Sequence, residues 1–429
     1  MKGKWPNEYL NTPNPNKKIE EIWDDLDAFS FEEVYSYGKL LEKKSRLAVC
    51  IPPVKFGPYF IKGFCFSQAS EYFLKKVPHL RKLFHICANS MTFSYPWSEG
   101  ADCYFSLFEN KAREKHYKKK YPEKKDRLFL PIQDADWTND RVLAPWNIFI
   151  PKTIDVFCLS SPFPVKNLPM IAEMALVYEK KYNRRLKIVI GLGMPGMKIN
   201  KDGSINYKTV EQNGVSELKK VDEIFNNNTA AYIEFVPVVE YKDLKTYFGM
   251  SKCAVLASIC EGKNRFIHEA MAGNTPVVVF KDYDKFIRGK TPAIYSKSGE
   301  YAPKFTPESL ADTVHKVIQN QNKYTPRKSY LEKNGRINFI KKICEYMPYY
   351  KEKVYKLEDN DLVHNKFFNN LMRYNYGITL EEFIYDKEPM LCGAVGKEDI
   401  LEVLKGYSSQ FKIPWVDVDD KDIHLFENK

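Results

Sequence analysis

Residues 253–280 read CAVLASICEGKNRFIHEAMAGNTPVVVF and determine the class of fold. The apolar run at 253–259 predicts a strand that is buried on both faces, as in a parallel sheet. The helix that follows is predicted to begin near Asn264 and to end at Gly273, because helices commonly end at a residue that tolerates a positive φ. The turn at 274–276 then leads into a second buried strand. This order of strand, helix and strand predicts a parallel sheet with crossover helices.

The same alternation extends over most of the chain. Before residue 133, strands are predicted at 46–51, 83–88 and 127–132, with helices near 67–76 and 110–121. After residue 152, strands are predicted in DVFCL, LKIVIGLG and AYIEFVPV, with helices near 167–182, 215–227 and 241–250. The segment between them, 133–152, carries Pro145, Pro151 and no helical period, as a hinge does.

Two successive α/β halves are therefore expected. The predicted fold class is α/β, with two Rossmann-like domains. The predicted parts are a helical N-terminal arm at 1–44, an N-terminal domain at 45–145, a C-terminal domain at 146–325, and a helical extension at 326–429 that packs in part on the N-terminal domain.

Composition excludes several classes of protein. The chain has 429 residues, 44% of them hydrophobic, which is enough for two domains that each bury a core. No apolar run approaches the roughly eighteen residues that a membrane span needs, and MKGKWP at the N-terminus does not lead into a signal-peptide core, so a cytoplasmic protein is expected.

Nine cysteines without a C-x-x-C pair argue against a disulfide framework or a zinc site. Four of them lie in apolar runs and are expected to be reduced core residues: Cys50, Cys87, Cys158 and Cys253.

Positive charge is concentrated in one segment. Lys and Arg outnumber Asp and Glu by 66 to 55, a formal net charge of +11, and nine basic residues lie within 111–127. Such a run is usually the solvated face of a helix, which is the preferred interpretation. The alternative is a surface for an anionic partner, namely lipid head groups, a polyphosphate-bearing acceptor or nucleic acid. Nucleic acid is the weakest of these, because the run is mainly lysine and lacks the regular alternation of aromatic and basic residues found in single-strand binders.

The opening stretch also has the chemistry of a binding site. Glu261 follows the first strand at its carboxyl end, which is the edge where open parallel sheets bind ligands. The start of the next helix is an anion site, because its first N–H groups have no partners inside the helix, and Lys263 and Arg265 add positive charge there. Glu269 lies further along the helix. Since carboxylates accept bidentate hydrogen bonds from diols, two of them beside an anion site suit a nucleoside diphosphate sugar.

Glu261, seven intervening residues and Glu269, followed by AMAGNTPVV, resemble the E-x7-E signature of retaining GT-B glycosyltransferases, especially those of family 4. The preceding segments, among them YIEFVPVVEYKDLKTYFGMSKCAVLASICEG, are similar to that family in order and spacing, and the resemblance covers roughly residues 101–320. It implies the GT-B fold, in which two Rossmann-like domains face each other across a cleft. The acceptor then binds mainly to the N-terminal domain and the nucleotide-sugar donor to the C-terminal one.

The resemblance implies roles for individual residues. Glu269 is expected to bind the ribose hydroxyls and Glu261 the transferred sugar. Lys166 matches the family's phosphate-binding lysine. His85 lies where the family often has a histidine facing the transferred sugar, although a structural histidine is an equally good interpretation. The predicted catalytic set is therefore Glu261, Lys166 and His85. Beside Glu269, the predicted donor-binding residues are Gly262, Lys263, Asn264, Arg265, Ser161 and Val238, the last through backbone contacts to the base.

Ser161 departs from the family, which usually has an arginine at this position. A missing guanidinium weakens charge stabilisation at a diphosphate unless another cation replaces it, and Lys263 or Arg265 is the expected replacement. Two alternatives to a transferase stay open, and the departure at Ser161 supports the first of them. One is a catalytically degenerate GT-B-like subunit that only binds a partner, and the other is a GT-B sugar-nucleotide epimerase.

The activity that the resemblance implies is hexosyl transfer from a UDP- or GDP-sugar, with retention at the anomeric carbon. The acceptor is an unidentified hydroxyl on a glycan, a lipid-linked glycan or another molecule. No cofactor and no metal are expected, because cations and the helix start neutralise the leaving diphosphate. The basic run suggests peripheral contact with an anionic membrane, which would place the protein at the inner face of a membrane.

Three other patterns mimic known sites. Residues 191–196 fit G-x-G-x-x-G after a strand, but a proline occupies the segment that should open a helix, which disfavours a dinucleotide site. Asp134-Ala-Asp136 and Asp417-Val-Asp419 resemble a metal-binding D-x-D and are interpreted as turn or surface acids.

Overall fold

A computed structural model gives the structure of the chain in two units. The described residues are 47–91 without 52, 57–58 and 68–76; 101–106; 111–132 without 121; 136, 138, 140 and 143–145; 150–281 without 241–242, 260 and 262; 294–350; and 405–415 without 407. The first unit contains the described residues up to Asp134 and from Ile337 onward, and the second runs from Ala135 to Arg336. The predicted arm at 1–44 and most of the predicted helix at 67–76 lie outside the described residues.

The first unit is built on a five-stranded sheet. The strands of this unit are β1 (Leu47–Ile51), β2 (Val54–Phe56), β3 (Tyr59–Ile61), β4 (Gly63–Ser67), β5 (Phe84–Met91), β6 (Cys103–Ser106) and β7 (Leu128–Leu130). The sheet order is β1-β4-β5-β6-β7, and β2 and β3 form a separate antiparallel pair. The pairs from β4 to β7 are parallel, as expected from the alternation. Helices α1 (Leu80–Leu83) and α2 (Lys111–Lys120) lie between successive strands.

One strand of this sheet runs against the prediction. The apolar run at 46–51 predicts a parallel strand, but β1 pairs with β4 in the antiparallel direction, with Leu47 opposite Ser67, at the edge of the sheet. The chain between them contains only the short β2 and β3 pair. An antiparallel pair needs only a short connection, whereas a parallel pair needs a crossover of a dozen or more residues. The short connection therefore sets the direction of β1.

The predicted lysine-rich helix is present as α2. Lys111, Lys115 and Lys119 follow one another at intervals of four residues and are all exposed. Lys118 pairs with Glu114 one turn earlier, at 2.6 Å. In these residues α2 has the solvated face that was the preferred interpretation of the basic run.

The second unit is built on a six-stranded sheet in which every strand pair is parallel. Its strands are β8 (Ile154–Leu159), β9 (Ile188–Gly191), β10 (Ile233–Val236), β11 (Ser251–Leu256), β12 (Val277–Phe280) and β13 (Gly299–Ala302). Its helices are α3 (Leu168–Tyr182), α4 (Gln212–Ile224), α5 (Leu244–Met250), α6 (Arg265–Ala272), α7 (Pro307–Gln319) and α8 (Pro326–Leu331). The prediction of two α/β units with largely parallel sheets is confirmed.

Both faces of the second sheet are buried. Along β8 the side chains alternate between two core clusters, with Val156 and Cys158 in one and Phe157 in the other. The first cluster includes buried residues of α3, α4 and α7, and the second includes those of α5, α6 and α8. Helices on both faces explain why these strands are continuous apolar runs in the sequence.

The order of the second sheet is β10-β9-β8-β11-β12-β13. The chain moves outward from β8 to β10, and then returns to the other side of β8 with β11. The strand order therefore reverses between β8 and β11, and ligands of open α/β sheets bind at the carboxyl ends of the strands at such a point. The loops after Leu159 and Leu256 meet there.

The C-terminal side of the first unit begins with α9 (Arg336–Tyr346), which the sequence predicts. Tyr349 and Tyr350 follow it and contact the backbone of Lys62. The Lys62 N–H donates to the Tyr349 hydroxyl at 2.9 Å, and the Tyr350 hydroxyl donates to the Lys62 carbonyl at 3.0 Å. Residues after α9 thus pack on the strand region of the first unit.

The cysteines whose side chains the structure describes are free thiols and buried, as predicted for Cys87, Cys158 and Cys253, whereas the side chain of Cys50 lies outside the described part. A search of the described helices found none with the length and apolarity needed to cross a membrane.

Candidate active site

Helix α6 begins where the sequence predicts. Asn264 is the N-cap in an extended conformation, and its side-chain oxygen accepts a hydrogen bond from the Phe266 N–H at 2.9 Å. This bond satisfies one of the N–H groups that lack a partner inside the helix. The amino end of α6 follows the loop from β11, at the edge of the sheet where the strand order reverses.

The end of α6 is at Gly273, but the predicted reason is wrong. Gly273 has φ −76°, and the left-handed conformation is at Asn274, with φ +61°. A Cβ at position 273 would lie 2.9 Å from side-chain atoms of Phe248. Glycine is therefore required for the close approach of a buried aromatic ring, and Asn274 reverses the chain.

Lys166 and Glu261 meet at the point where the strand order reverses. Lys166 lies in a short 3-10 turn, Pro164–Lys166, after β8, and its Nζ donates to Oε1 of Glu261. The Ser258 hydroxyl donates to the same carboxylate oxygen at 2.8 Å. The two loops are also joined through their backbones, because the Ile259 N–H donates to the Val165 carbonyl at 2.8 Å. Two residues predicted for the catalytic set are thus in contact.

Glu269 is buried inside the first two turns of α6. Its side chain is 5% exposed and pairs with Arg265 one turn earlier, with Arg265 Nε 2.9 Å from Oε1. Burial raises the pKa of the Glu269 carboxyl above its ordinary value, and the charge of Arg265 opposes that shift. The two glutamates of the predicted signature are therefore each paired with a cation.

Lys263 has a partner that the sequence did not identify. Its Nζ donates to Oδ1 of Asp136, and the Asp136 side chain is only 1% exposed. The interpretation of Asp136 as a surface acid is wrong, because its side chain is buried, and a charged group this deeply buried needs a partner of opposite charge. The one signal in the sequence was an unexplained carboxylate at the start of the hinge, 127 positions from Lys263.

Charge is therefore balanced within this group of residues. Three cations each pair with a carboxylate. Lys166 pairs with Glu261. Lys263 pairs with Asp136, and Arg265 pairs with Glu269. Ser161 provides no charge where the resembling family usually has an arginine. Lys263 and Arg265, the expected replacements for that arginine, are therefore each paired with a carboxylate.

The loop after β9 borders the same edge of the sheet. Gly193 has φ +66°, and a Cβ there would lie 3.7 Å from the Ser161 hydroxyl oxygen. The Met194 N–H donates to the Pro237 carbonyl at 2.7 Å, which places the predicted base-binding backbone at Val238 next to this loop. No described helix begins within 191–196, so the glycine pattern there lacks the helix of a dinucleotide site. Gly262 lies outside the described residues.

Residues 149–337 match the family described as glycosyl transferases group 1. This domain-sized range, less than half of the chain, is similar to group 1 glycosyltransferases. The matched range contains Ser161, Lys166, Val238 and the whole of α6. The predicted assignment to a glycosyltransferase is therefore confirmed for this domain, while the family 4 assignment stays a prediction. A search of curated protein sequences found no match.

The solved structures with a similar fold have low sequence identity to this chain. Sucrose-phosphate synthase from Thermosynechococcus elongatus is 13% identical, over 59% of this chain and 65% of that one, with a TM-score of 0.38. A variant of TarM from S. aureus, in complex with fondaparinux, alpha-GlcNAc-glycerol and UDP, is 15% identical over 62% of this chain and 51% of that one, with a TM-score of 0.39. The N-terminal domain of trehalose-6-phosphate phosphatase from Candida albicans is 11% identical over 80% and 78%, with a TM-score of 0.45. This chain spans less than two thirds of the length of the first two of these structures.

His85 lies outside the matched glycosyltransferase domain, in the first unit. The structure does not place His85 at the carboxyl edge of its strand, because β5 begins at Phe84 and continues to Met91. His85 is therefore at the amino end of β5, and its ring packs edge-on against Tyr349 and Tyr350, with centroids 4.4 and 5.9 Å away. Burial lowers its pKa. These surroundings are those of a packed histidine, so His85 is not part of the site proposed below.

Proposed function

We propose that this protein is a retaining glycosyltransferase that moves a sugar from a nucleoside diphosphate sugar to a hydroxyl acceptor without a metal ion. The observation that carries the proposal is the contact between Lys166 and Glu261. They come from loops 95 positions apart and meet where the strand order reverses, beside the amino end of α6. A cation, a carboxylate and the amino end of a helix at one sheet edge suit a ligand with a diphosphate and a sugar.

The proposed donor contacts follow from the positions of these groups. Lys166 and the amino end of α6 bind the diphosphate, Glu261 binds hydroxyls of the transferred sugar, and Glu269 binds the ribose. The backbone at Val238 lies beside the loop after β9 and contacts the base. Since Glu261 and Glu269 are paired with cations in this structure, donor binding exchanges part of those pairs for contacts to phosphate and hydroxyl groups.

The proposed reaction needs no nucleophile from the protein. The bond between the anomeric carbon and the phosphate oxygen breaks, and the acceptor oxygen forms a new bond to that carbon on the same face. The proton of the acceptor hydroxyl passes to the leaving phosphate oxygen. Lys166 and the helix N–H groups stabilise the negative charge that develops on the diphosphate, an interaction that is strongest in the transition state.

Binding of the donor tests the proposal directly. Titration calorimetry with UDP, GDP, ADP and their sugars is expected to give binding of one base class, and apparent stability should rise with its concentration. With the best donor, NMR of the product is expected to show the anomeric configuration of the donor, and activity should survive EDTA. A chain that binds none of these nucleotides contradicts the proposal, and an inverted product contradicts the retaining mechanism.

The charge balance of the site favours one alternative, a glycosyltransferase-like subunit that binds the donor but does not turn it over. Ser161 adds no cation, and Lys166, Lys263 and Arg265 are each paired with a carboxylate. This alternative predicts saturable binding of a nucleotide sugar with neither hydrolysis nor transfer over long incubations. Turnover with any hydroxyl acceptor excludes it.

A further inference from the structure

Asp136 and Lys263 form a buried ion pair next to the proposed donor site. Lys263 lies between Glu261 and the helix cap Asn264, so its position affects both. The two side chains are 1% and 11% exposed, respectively. A buried ion pair resists the loss of either partner, because the remaining charge is left without compensation. The pair therefore fixes the backbone of the loop that leads into α6.

The segment that carries Asp136 is linked to the amino side of α6 directly and to its carboxyl end through Arg327. At the amino end Asp136 binds Lys263. At the carboxyl end Arg327 Nη1 donates to the carbonyl oxygens of Asp140 and Ala272, each at 2.6 Å. A helix of eight residues is about 12 Å long. The step from Asp136 to Asp140 can span at most about 14 Å, so one short segment is long enough to hold both ends of the helix.

We propose that Asp136 is a positioning residue for donor binding. It holds Lys263, so that Glu261 and the amino end of α6 keep the geometry in which they bind a nucleoside diphosphate sugar. This inference rests on the proposed function. Lys263 is then the anchor of the loop and not a ligand of the diphosphate, and it does not replace the arginine that is absent at Ser161.

The competing role for Lys263 makes the opposite prediction. Lys263 could instead be a phosphate ligand whose charge Asp136 partly neutralises. In that case Asp136→Asn would leave the charge of Lys263 uncompensated and tighten nucleoside diphosphate binding. If Lys263 is an anchor, the same substitution loosens the loop and weakens binding. The sign of the change in affinity therefore separates the two roles.

The test compares four variants of the full chain with the wild type: Asp136→Asn, Lys263→Met, the double variant of these two, and Asp155→Asn. Dissociation constants for UDP and GDP are measured by calorimetry, and amide hydrogen exchange is measured over 263–269 without ligand. Each single variant at the pair is expected to weaken binding about ten-fold, as contacting residues couple by amounts of this size. Exchange over 263–269 should rise in both. The double variant should bind better than the product of the single effects predicts, because it leaves no unpaired charge.

Asp155→Asn is the matched control. Asp155 is also a buried carboxylate, 7% exposed and paired with Lys252 at 2.7 Å and Arg184 at 2.5 Å, but it lies at the amino end of β8. The control is expected to lower stability without changing nucleoside diphosphate affinity or exchange over 263–269.

Unchanged affinity in Asp136→Asn, or tighter binding, overturns the positioning role. A wild type that binds neither UDP nor GDP, nor any sugar of them, counts against the proposed function instead. In that case the exchange data still decide whether Asp136 anchors the loop. Faster exchange in Asp136→Asn than in Asp155→Asn supports the anchor, and equal exchange overturns it.

Discussion

The ammonium group of Lys166 donates a hydrogen bond to the carboxylate of Glu261, and it does so from the neighbouring loop at the carboxyl edge of the second sheet. The side chains of Lys166 and Glu261 are 24% and 11% exposed, so the pair is mostly buried, but a ligand from solvent can still reach it. A phosphate group that approaches Lys166 competes with Glu261 for the same cation. Under the proposed function, binding of the donor would release Glu261 to accept hydrogen bonds from sugar hydroxyls.

Substitution of the two partners is expected to have different effects. Lys166→Met should weaken binding of the preferred nucleoside diphosphate by about 10- to 100-fold, because a hydrogen bond to a charged group contributes about 1.5–3 kcal/mol. Glu261→Gln should leave nucleoside diphosphate affinity close to that of the wild type and weaken binding of the full nucleotide sugar. Calorimetry with both ligands measures this difference. Equal losses for the two ligands in Glu261→Gln would contradict the proposed contact with the sugar.

An arginine at position 161 is expected to tighten nucleoside diphosphate binding. Ser161→Arg places a guanidinium near Gly193, which has no side chain, and beside the proposed diphosphate position. Arg can form bidentate bonds to phosphate, so the affinity for nucleoside diphosphate should rise about ten-fold. Ser161→Gln is the control, with a similar reach and no charge. An arginine variant that binds no better than the glutamine variant would show that position 161 does not face the diphosphate.

Much of the second unit could be predicted from the sequence, because its strands are short continuous apolar runs between clear turn signals. β12 reads VVVF and is buried at every position. The missed strand, β13, reads GEYA and lies at the sheet edge with only Ala302 buried. An edge strand of this kind has no apolar run, so hydrophobic patterning cannot detect it. The direction of β1 was also missed, because its continuous apolar run favours a parallel strand, whereas the short connection to β4 sets an antiparallel one.

The site was predictable only where sheet topology brings residues together. Lys166 and Glu261 follow strands that become neighbours in a parallel sheet, so their meeting at one edge follows from the order of the elements. The pairing of Lys263 with Asp136 depends on how the segment before β8 packs against α6. No local pattern encodes that contact, and the D-x-D spacing is as common in turns. Burial of Glu269 with Arg265 likewise depends on which face of α6 packs inward.

His85 is expected to make the stability of the first unit depend on pH. Its folded-state pKa is lowered by burial from an ordinary value of 6.5. As the pH falls below about 6.5 the unfolded chain binds a proton before the folded one does, so the free energy of unfolding decreases until the folded-state pKa is passed. His85→Phe keeps the aromatic packing with Tyr349 and should lose this part of the acid sensitivity.

Urea denaturation of the wild type and His85→Phe between pH 5 and 8, followed by fluorescence, measures the effect. The two curves of unfolding free energy against pH should diverge on the acid side and run parallel above about pH 7. Parallel curves over the whole range would mean that His85 titrates alike in the folded and unfolded chains. Loss of transferase activity in His85→Phe with normal stability would instead restore the predicted catalytic role.

The end of α6 gives a prediction about packing. A Cβ at Gly273 would lie 2.9 Å from Cβ and Cδ2 of Phe248, a fully buried ring, so Gly273→Ala must displace it. Overpacking of this kind costs about 1–3 kcal/mol of unfolding free energy, which exceeds the gain of about 0.4–1 kcal/mol from a less flexible unfolded chain. Gly196→Ala is the matched control, because no atom lies within 4 Å of its Cβ and its φ is not positive. Denaturant titration should show a lower midpoint for Gly273→Ala and an unchanged or higher one for Gly196→Ala. Equal midpoints would mean that the Phe248 ring moves aside freely, and that glycine at 273 is not required for its approach.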